Sequence, residues 1–298
     1  MDLIKNILSN ENIPFNNIVK SEVGFSNDVF FIDDKFVLKI AKKGNEKLLN
    51  KEILFYKNVS IDCMPEYVCS NSFNGIDYLI IKKLKGKSLY NLWHLFSDKK
   101  RKELIFSICQ ILKKLNNINY DFLPNEYKVL DWSTYIKKNL DDCIIALKNK
   151  NLDTSFLENF SKNYFDKYFF EQNTKFLYND AHFDNFIYDG KNLFIIDFDR
   201  IFVGSLDYEL LILDLMLDNP KKFASSEEEK FVNTKDYSFI RAYLKEFYYD
   251  LYNFKYSKER LFIYKFLYNL SAHFEYNNQN ALINELNNFK IFFTHTLD

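Results

Sequence analysis

The apolar residues change their spacing near residue 87, and this limits the fold more than any other feature of the chain. Before that point, short apolar runs are broken by turn residues. Residues 17–41, "NIVKSEVGFSNDVFFIDDKFVLKIA", read as three strands parted at Gly24–Asn27 and at Asp33–Asp34. Residues 45–57, "NEKLLNKEILFYK", have helical spacing, with Leu48, Ile53 and Tyr56 on one side. Strands return near 65–73 and 76–83. Asn74-Gly75 between them has the pattern of a type I′ hairpin, whose central residues need positive φ. From Ser88 the period becomes three and four, over 88–117, 131–149 and 153–172, and again from 206 to the end. The stretch 177–200 interrupts the helices with a hairpin. The expectation is an α+β protein. A five-stranded antiparallel sheet lobe, with one helix after its third strand, spans residues 1–86, and a mostly helical lobe spans 87–298. A chain of 298 residues is long enough for two such lobes.

The interrupting stretch, "LYNDAHFDNFIYDGKNLFIIDFDR", sets five aspartates among aromatic and aliphatic residues. Asp180 is followed five positions later by Asn185, and twelve positions on, past a turn at Gly190, by Asp197. This is the spacing of a kinase catalytic loop followed by the aspartate that faces the nucleotide. In such an arrangement Asp180 orients the acceptor hydroxyl and takes its proton. Asn185 offers an amide oxygen to Mg²⁺, and Asp197 bridges the metal to the phosphates. The hairpin brings Asn185 and Asp197 to one point. Asp184 reads as a solvated loop residue and Asp189 as the first residue of the hairpin turn; Asp199 receives no chemical role.

The same chemistry asks the sheet for a lysine that holds the α and β phosphates, and a helix for a glutamate that orients it. "KFVLKIA" supplies Lys39 on the third strand, and "NKEILFY" supplies Glu52 on the following helix; Glu46 is a second candidate partner. Gly24 and Ser26, in the turn between the first two strands, can bring backbone amides and a hydroxyl to a phosphate. "LIIKKLKGKSL" leaves the last strand extended, where backbone can pair with a purine edge, and Gly86 frees the chain to enter the helical lobe.

A formal net charge of -1 gives no support to a nucleic-acid partner. No apolar run approaches the ~18 residues of a membrane span. "MDLIKNILSNEN" reads as an amphipathic helix rather than a signal peptide, and the four cysteines have neither C-x-x-C nor zinc spacing. A cytoplasmic protein with free thiols is expected.

These residues resemble the aminoglycoside phosphotransferase and choline kinase-like superfamily. Its H-G-D-x-H-x-x-N motif is met by "YNDAHFDN", with Asp180, His182 and Asn185. Its I-D-[FW] and G-[DS]-x-x-[YW]-D-L motifs are met by "IIDFDRIFVGSLDYELL", with Asp197, Gly204 and Tyr208. The sequence departs at Tyr178, where the family has a loop-supporting histidine, and at Glu209, where it has aspartate; neither removes a ligand. The resemblance covers nearly the whole chain. It implies a protein kinase-like two-lobe fold and phosphorylation of a small-molecule hydroxyl by ATP or GTP with Mg²⁺. The substrate would be cationic or polyhydroxylated, most readily an aminoglycoside. A metabolite kinase for choline, ethanolamine or an amino sugar, and a nucleotide-binding regulator without turnover, remain as alternatives. Acids that could line an aminoglycoside pocket are Asp207, Asp218, Glu227, Glu228, Glu229, Asp236 and Glu275.

Overall fold

The computed structural model describes residues 1–21 and 26–297. Helix α1 (Asp2–Asn10) leads into a sheet of β1 (Ile18–Lys20), β2 (Asn27–Ile32), β3 (Phe36–Ala41), β4 (Tyr67–Phe73) and β5 (Ile76–Lys82), with α2 (Glu46–Asn58) following β3. The strands pair antiparallel in the order β1-β2-β3-β5-β4. The Asn74-Gly75 hairpin closes as expected, with Phe73 opposite Ile76 and both turn residues at positive φ, 53° and 77°.

The period of two decides which side chains go where. Leu38, Ile40, Tyr78 and Ile80 face one way and bury the apolar side of α1, through Ile4, Ile7 and Leu8. The opposite face carries Val37, Leu79 and Ile81, which pack with Leu49, Ile53, Phe55 and Tyr56 of α2 and with residues of the second lobe in one continuous core. Lys39 pairs across the ladder with Leu79, so its side chain emerges on this inner face.

The chain crosses to the helical lobe through β6 (Lys87–Ser88) and α3 (Leu89–Leu92). Gly86 is needed there: its φ is 122°, and a Cβ would lie 2.4 Å from the Tyr188 carbonyl oxygen. The lobe is built from α4 (Asp98–Asn116), α5 (Trp132–Asn149), α6 (Ser155–Asn163) and α7 (Phe165–Tyr168), then α8 (Leu210–Asp218), α9 (Pro220–Phe223), α10 (Ile240–Phe247), α11 (Ser257–Glu275) and α12 (Gln279–Leu297). Between α7 and α8 run β7 (Thr174–Leu177), β8 (Phe186–Tyr188), β9 (Leu193–Ile195) and β10 (Phe202–Ser205). β7 pairs with β10, and β8 lies between β6 and β9. The hairpin turn is longer than a two-residue Asp-Gly turn. The Asp189 carboxylate accepts from the amides of Lys191 and Asn192, which closes a four-residue loop between Tyr188 and Leu193. Among the described residues, no helix is long and apolar enough to cross a membrane.

Candidate active site

Lys39 is 8% exposed and would be costly there without partners. It has two. Its Nζ lies 2.8 Å and 3.0 Å from the two carboxylate oxygens of Glu52, and 2.8 Å from Oδ1 of Asp197. Burial works against its charge, but the fields of Asp197 and Glu52 hold its pKa well above the ordinary lysine value. Glu52 is fully buried on α2. Burial pushes its carboxyl up to about 7, against the pull of Lys39. Of the two glutamates expected from the sequence, Glu52 is therefore the lysine's partner. Glu46 instead accepts from the Gly44 amide at 3.1 Å, at the start of α2.

Asp197 sits two residues past β9 with φ at 65°, an unusual conformation for a residue with a side chain. The turn sends the Asp197 carboxylate toward the cleft and the Phe198 ring into the core, 4.3 Å from Phe55. The Asp180 loop is held from within. Tyr178 is fully buried, and its hydroxyl donates to the Ile196 carbonyl. Glu209, 1% exposed, accepts from the amides of Tyr178 and Asn179 at 2.9 Å each and from Asn116 Nδ2 at 3.1 Å. Tyr178 and Glu209, both departures from the family motif, thus support the loop. Within it, Asn185 Nδ2 donates to the Asp180 carbonyl and to Oδ2, both at 3.0 Å. Since the amide NH₂ is used in this way, the amide oxygen is the atom of Asn185 that could meet a metal. His182 Nε2 stands 3.6 Å from Asp180 Oδ2, and the surrounding carboxylates raise its pKa against the effect of burial.

Asp180, Asp197 and Asp199 each offer a carboxylate oxygen within 4.8 Å of the others. An all-oxygen donor set of this kind suits a hard divalent cation such as Mg²⁺. Sequence reasoning assigned nothing to Asp199. The available signal was its place two residues from Asp197 in the same aspartate-containing turn.

Several expected positions differ. Gly24 lies outside the described residues. Ser26 is at the entry to β2, where its carbonyl accepts from the Lys42 amide at 3.1 Å and from Asn45 Nδ2 at 3.3 Å. Asp184 is not a solvated loop residue. Burial, and then the neighbouring Glu228 carboxylate, push its carboxyl up to about 6, while a hydrogen bond from Ser88 opposes the rise. Glu228 is 5% exposed and accepts from Ser88 Oγ at 2.6 Å and from the Ser225 amide at 3.1 Å. Other acids offered as pocket lining are committed elsewhere. Asp207 is buried against Arg260 at 2.6 Å, Asp218 pairs with Arg241 and Lys265, and Asp236 pairs with Arg101 at 2.9 Å. Glu227, Glu229 and Glu275 are exposed.

Comparison with known proteins accords with this geometry. No curated protein sequence matches the chain at a significant level. Among solved structures, the GDP complex of wild-type aminoglycoside 2'-phosphotransferase-IIIa superposes with a TM-score of 0.68 at 17% identity, over 97% of this chain and 98% of that one. ADP-bound aminoglycoside phosphotransferase APH(2'')-Ib gives 0.70 at 20% identity, over 97% of each chain. The gentamicin complex of APH(2")-IIa gives 0.65 at 19%, over 97% of this chain and 95% of that one. These likenesses establish a protein kinase-like two-lobe fold. The model of the phosphotransferase enzyme family matches residues 18–231, a span that holds every residue of the site, and the chain belongs to that family.

Proposed function

We propose that the chain transfers the γ-phosphoryl group of ATP or GTP to a hydroxyl of an aminoglycoside-type antibiotic. The observation that carries this reading is Lys39, a buried strand lysine shared between Glu52 and Asp197 across the two lobes. Its two carboxylate partners, one from each lobe, fix the ammonium at the junction where it could meet a phosphate. In this reading residues 1–86 form the nucleotide lobe, and the backbone after β5 meets the purine. Ser26, at the entry to β2, would face the phosphates. Asn185 and Asp197 hold Mg²⁺, which when bound would neutralise the charge on the phosphates. Asp180 aligns the acceptor hydroxyl and takes its proton as the oxygen attacks phosphorus. The bond from the γ phosphorus to the bridging oxygen breaks, and the nucleoside diphosphate leaves. Solved neighbours of this fold carry GDP or ADP, and one carries gentamicin, which supports both the donor class and the acceptor class. The four free cysteines fit a reducing cytoplasm, where nucleotide is abundant.

A coupled nucleotide-consumption assay tests this, run against a panel of aminoglycosides, choline, ethanolamine and amino sugars. Turnover stimulated by an aminoglycoside is expected. Stimulation by choline or an amino sugar alone would replace the acceptor class. Tight nucleotide binding without turnover on any compound would make the chain a regulator.

A further inference from the structure

We propose that Asp199 is a third metal-binding carboxylate, and that with Asp197 and Asp180 it takes up a divalent cation of the Mg²⁺ or Mn²⁺ class before any nucleotide arrives. This rests on the reading of Asp197 as the metal-side carboxylate and adds two ligands to it, Asp199 and, in the nucleotide-free state alone, Asp180, which otherwise serves as the base. The observation is an imbalance. Asp199 is 3% exposed. Asp197 has Lys39 and Asp180 has Asn185, but no hydrogen bond or ion pair to the Asp199 carboxylate occurs among the described residues. A fully buried acceptor left in this state costs about 1–3 kcal/mol, and the Asp199 carboxylate, which keeps slight solvent contact, bears part of that cost. Two further carboxylates within 4.8 Å add repulsion.

Cations of the protein relieve it only in part: the fields of Lys39, Arg200 and Lys51 reach Asp199, but none forms an ion pair with it among the described residues. The Lys39 ammonium is divided between Glu52 and Asp197. Lys51, also 8% exposed, lies 5.3 Å from the Tyr127 ring centroid and forms no ion pair among the described residues. Arg200 is exposed. A divalent cation would satisfy all three carboxylates at once. Oxygens in an octahedral Mg²⁺ shell stand roughly 3–4 Å apart, from metal–oxygen distances of about 2.1 Å. The cluster is slightly wider than this, within reach of small side-chain rotations.

The test uses the full chain with neither nucleotide nor acceptor. Free Mn²⁺ is followed by electron paramagnetic resonance during titration, and melting is recorded in EDTA and in Mn²⁺. Wild type is expected to bind one Mn²⁺ and Asp199→Asn to bind it at least tenfold more weakly. Asp189→Asn, in the hairpin turn, should bind like wild type. In EDTA, Asp199→Asn should melt no lower than wild type, because it removes a repelling charge; Mn²⁺ should then raise the wild-type midpoint more than the variant's. Equal Mn²⁺ affinity in the two proteins, or no binding to wild type, overturns the proposal. So does an Asp199→Asn variant that fails to fold, since Asp199 would then be structural. A negative result leaves phosphoryl transfer to be judged by its own assay.

Discussion

Replacing Glu209 by glutamine should loosen the catalytic loop without touching the nucleotide side. The carboxylate receives three hydrogen bonds: from the Asn179 amide at one oxygen, and from the Tyr178 amide and Asn116 Nδ2 at the other. Glutamine keeps the shape but has one accepting oxygen, so in either orientation its NH₂ faces a donor. Turning the oxygen toward Tyr178 and Asn116 sacrifices only the Asn179 bond, and this is the orientation expected. A hydrogen bond to a charged acceptor contributes about 1.5–3 kcal/mol, and the orphaned amide adds to the loss. Against this, burial raises the carboxyl pKa of Glu209, so the charge already carries a desolvation cost that glutamine relieves. The net expectation is about 1–3 kcal/mol of lost stability, measured by urea denaturation at neutral pH. The kinetic effect should exceed the thermodynamic one. Asp180 follows Asn179 directly, and a misplacement of about 1 Å at a reacting group can cost on the order of 10²-fold in rate. The turnover number should therefore fall while nucleotide Kd is unchanged, and Glu209→Asp, which keeps the charge on a shorter arm, should fall less. If Glu209→Gln matches wild type within about 0.5 kcal/mol and turns over normally, the carboxylate does not hold the loop.

Three further outcomes follow from other contacts. Asp180→Asn should retain nucleotide binding by calorimetry but lose roughly 10²–10⁴-fold in turnover, since an amide cannot take the hydroxyl proton; near-normal turnover would end its assignment as the base. Lys39→Met leaves Glu52 and Asp197 without their shared cation and should cost about 3–5 kcal/mol, whereas Glu52→Gln leaves a neutral Lys39–Asp197 pair and should cost far less; equal losses in chemical denaturation would refute this charge balance. The Tyr78 hydroxyl donates to Glu11 and lowers its pKa from 4.5, so the stability it contributes is present above that value and lost as pH falls through the lower folded value. Tyr78→Phe should accordingly melt lower than wild type at neutral pH, with the gap closing in acid; a gap that widens in acid would reverse the sign.

What the sequence made legible was what depends on short-range pattern. The five strands, the helix after the third and the long helices all follow from apolar spacing, and the Asn74-Gly75 hairpin follows from the backbone freedom of its residues. The pairing of Lys39 with Glu52 was legible because kinase-type chemistry demands such a pair and only two glutamates offered it. Long-range partnerships were not legible. Asp207 meets Arg260 across 53 positions and Glu228 meets Ser88 across 140, and nothing local distinguishes those acids from ones that face a ligand. Acidic residues after Gly204 could therefore be offered only as candidates for a substrate pocket, and three of them, Asp207, Asp218 and Asp236, hold cations of the protein itself.

Two substitutions in the family motif, Tyr178 and Glu209, show how the site is kept in geometry. Asp197 holds a positive φ, a conformation that costs about 1–3 kcal/mol and persists only where its surroundings fix it. Here it is fixed from three sides. Lys39 binds the carboxylate, the Phe198 ring is stacked on Phe55, and the Tyr178 hydroxyl ties down the Ile196 carbonyl immediately before it. The phenol reaches that carbonyl while filling fully buried space, 5.6 Å from the Phe198 ring. One side chain thus braces the Asp180 loop, through its own backbone, and the Asp197 turn, through its hydroxyl. Glu209 anchors the backbone of that same tyrosine. The two departures from the motif therefore act in series on one contact chain, from Glu209 through Tyr178 to Ile196 and Asp197. Their effects on turnover should be non-additive: once Tyr178→Phe has released the Ile196 carbonyl, Glu209→Gln has less of the braced Asp180 loop left to disturb. A double-mutant cycle on turnover that sums without coupling would show the two residues to be independent supports.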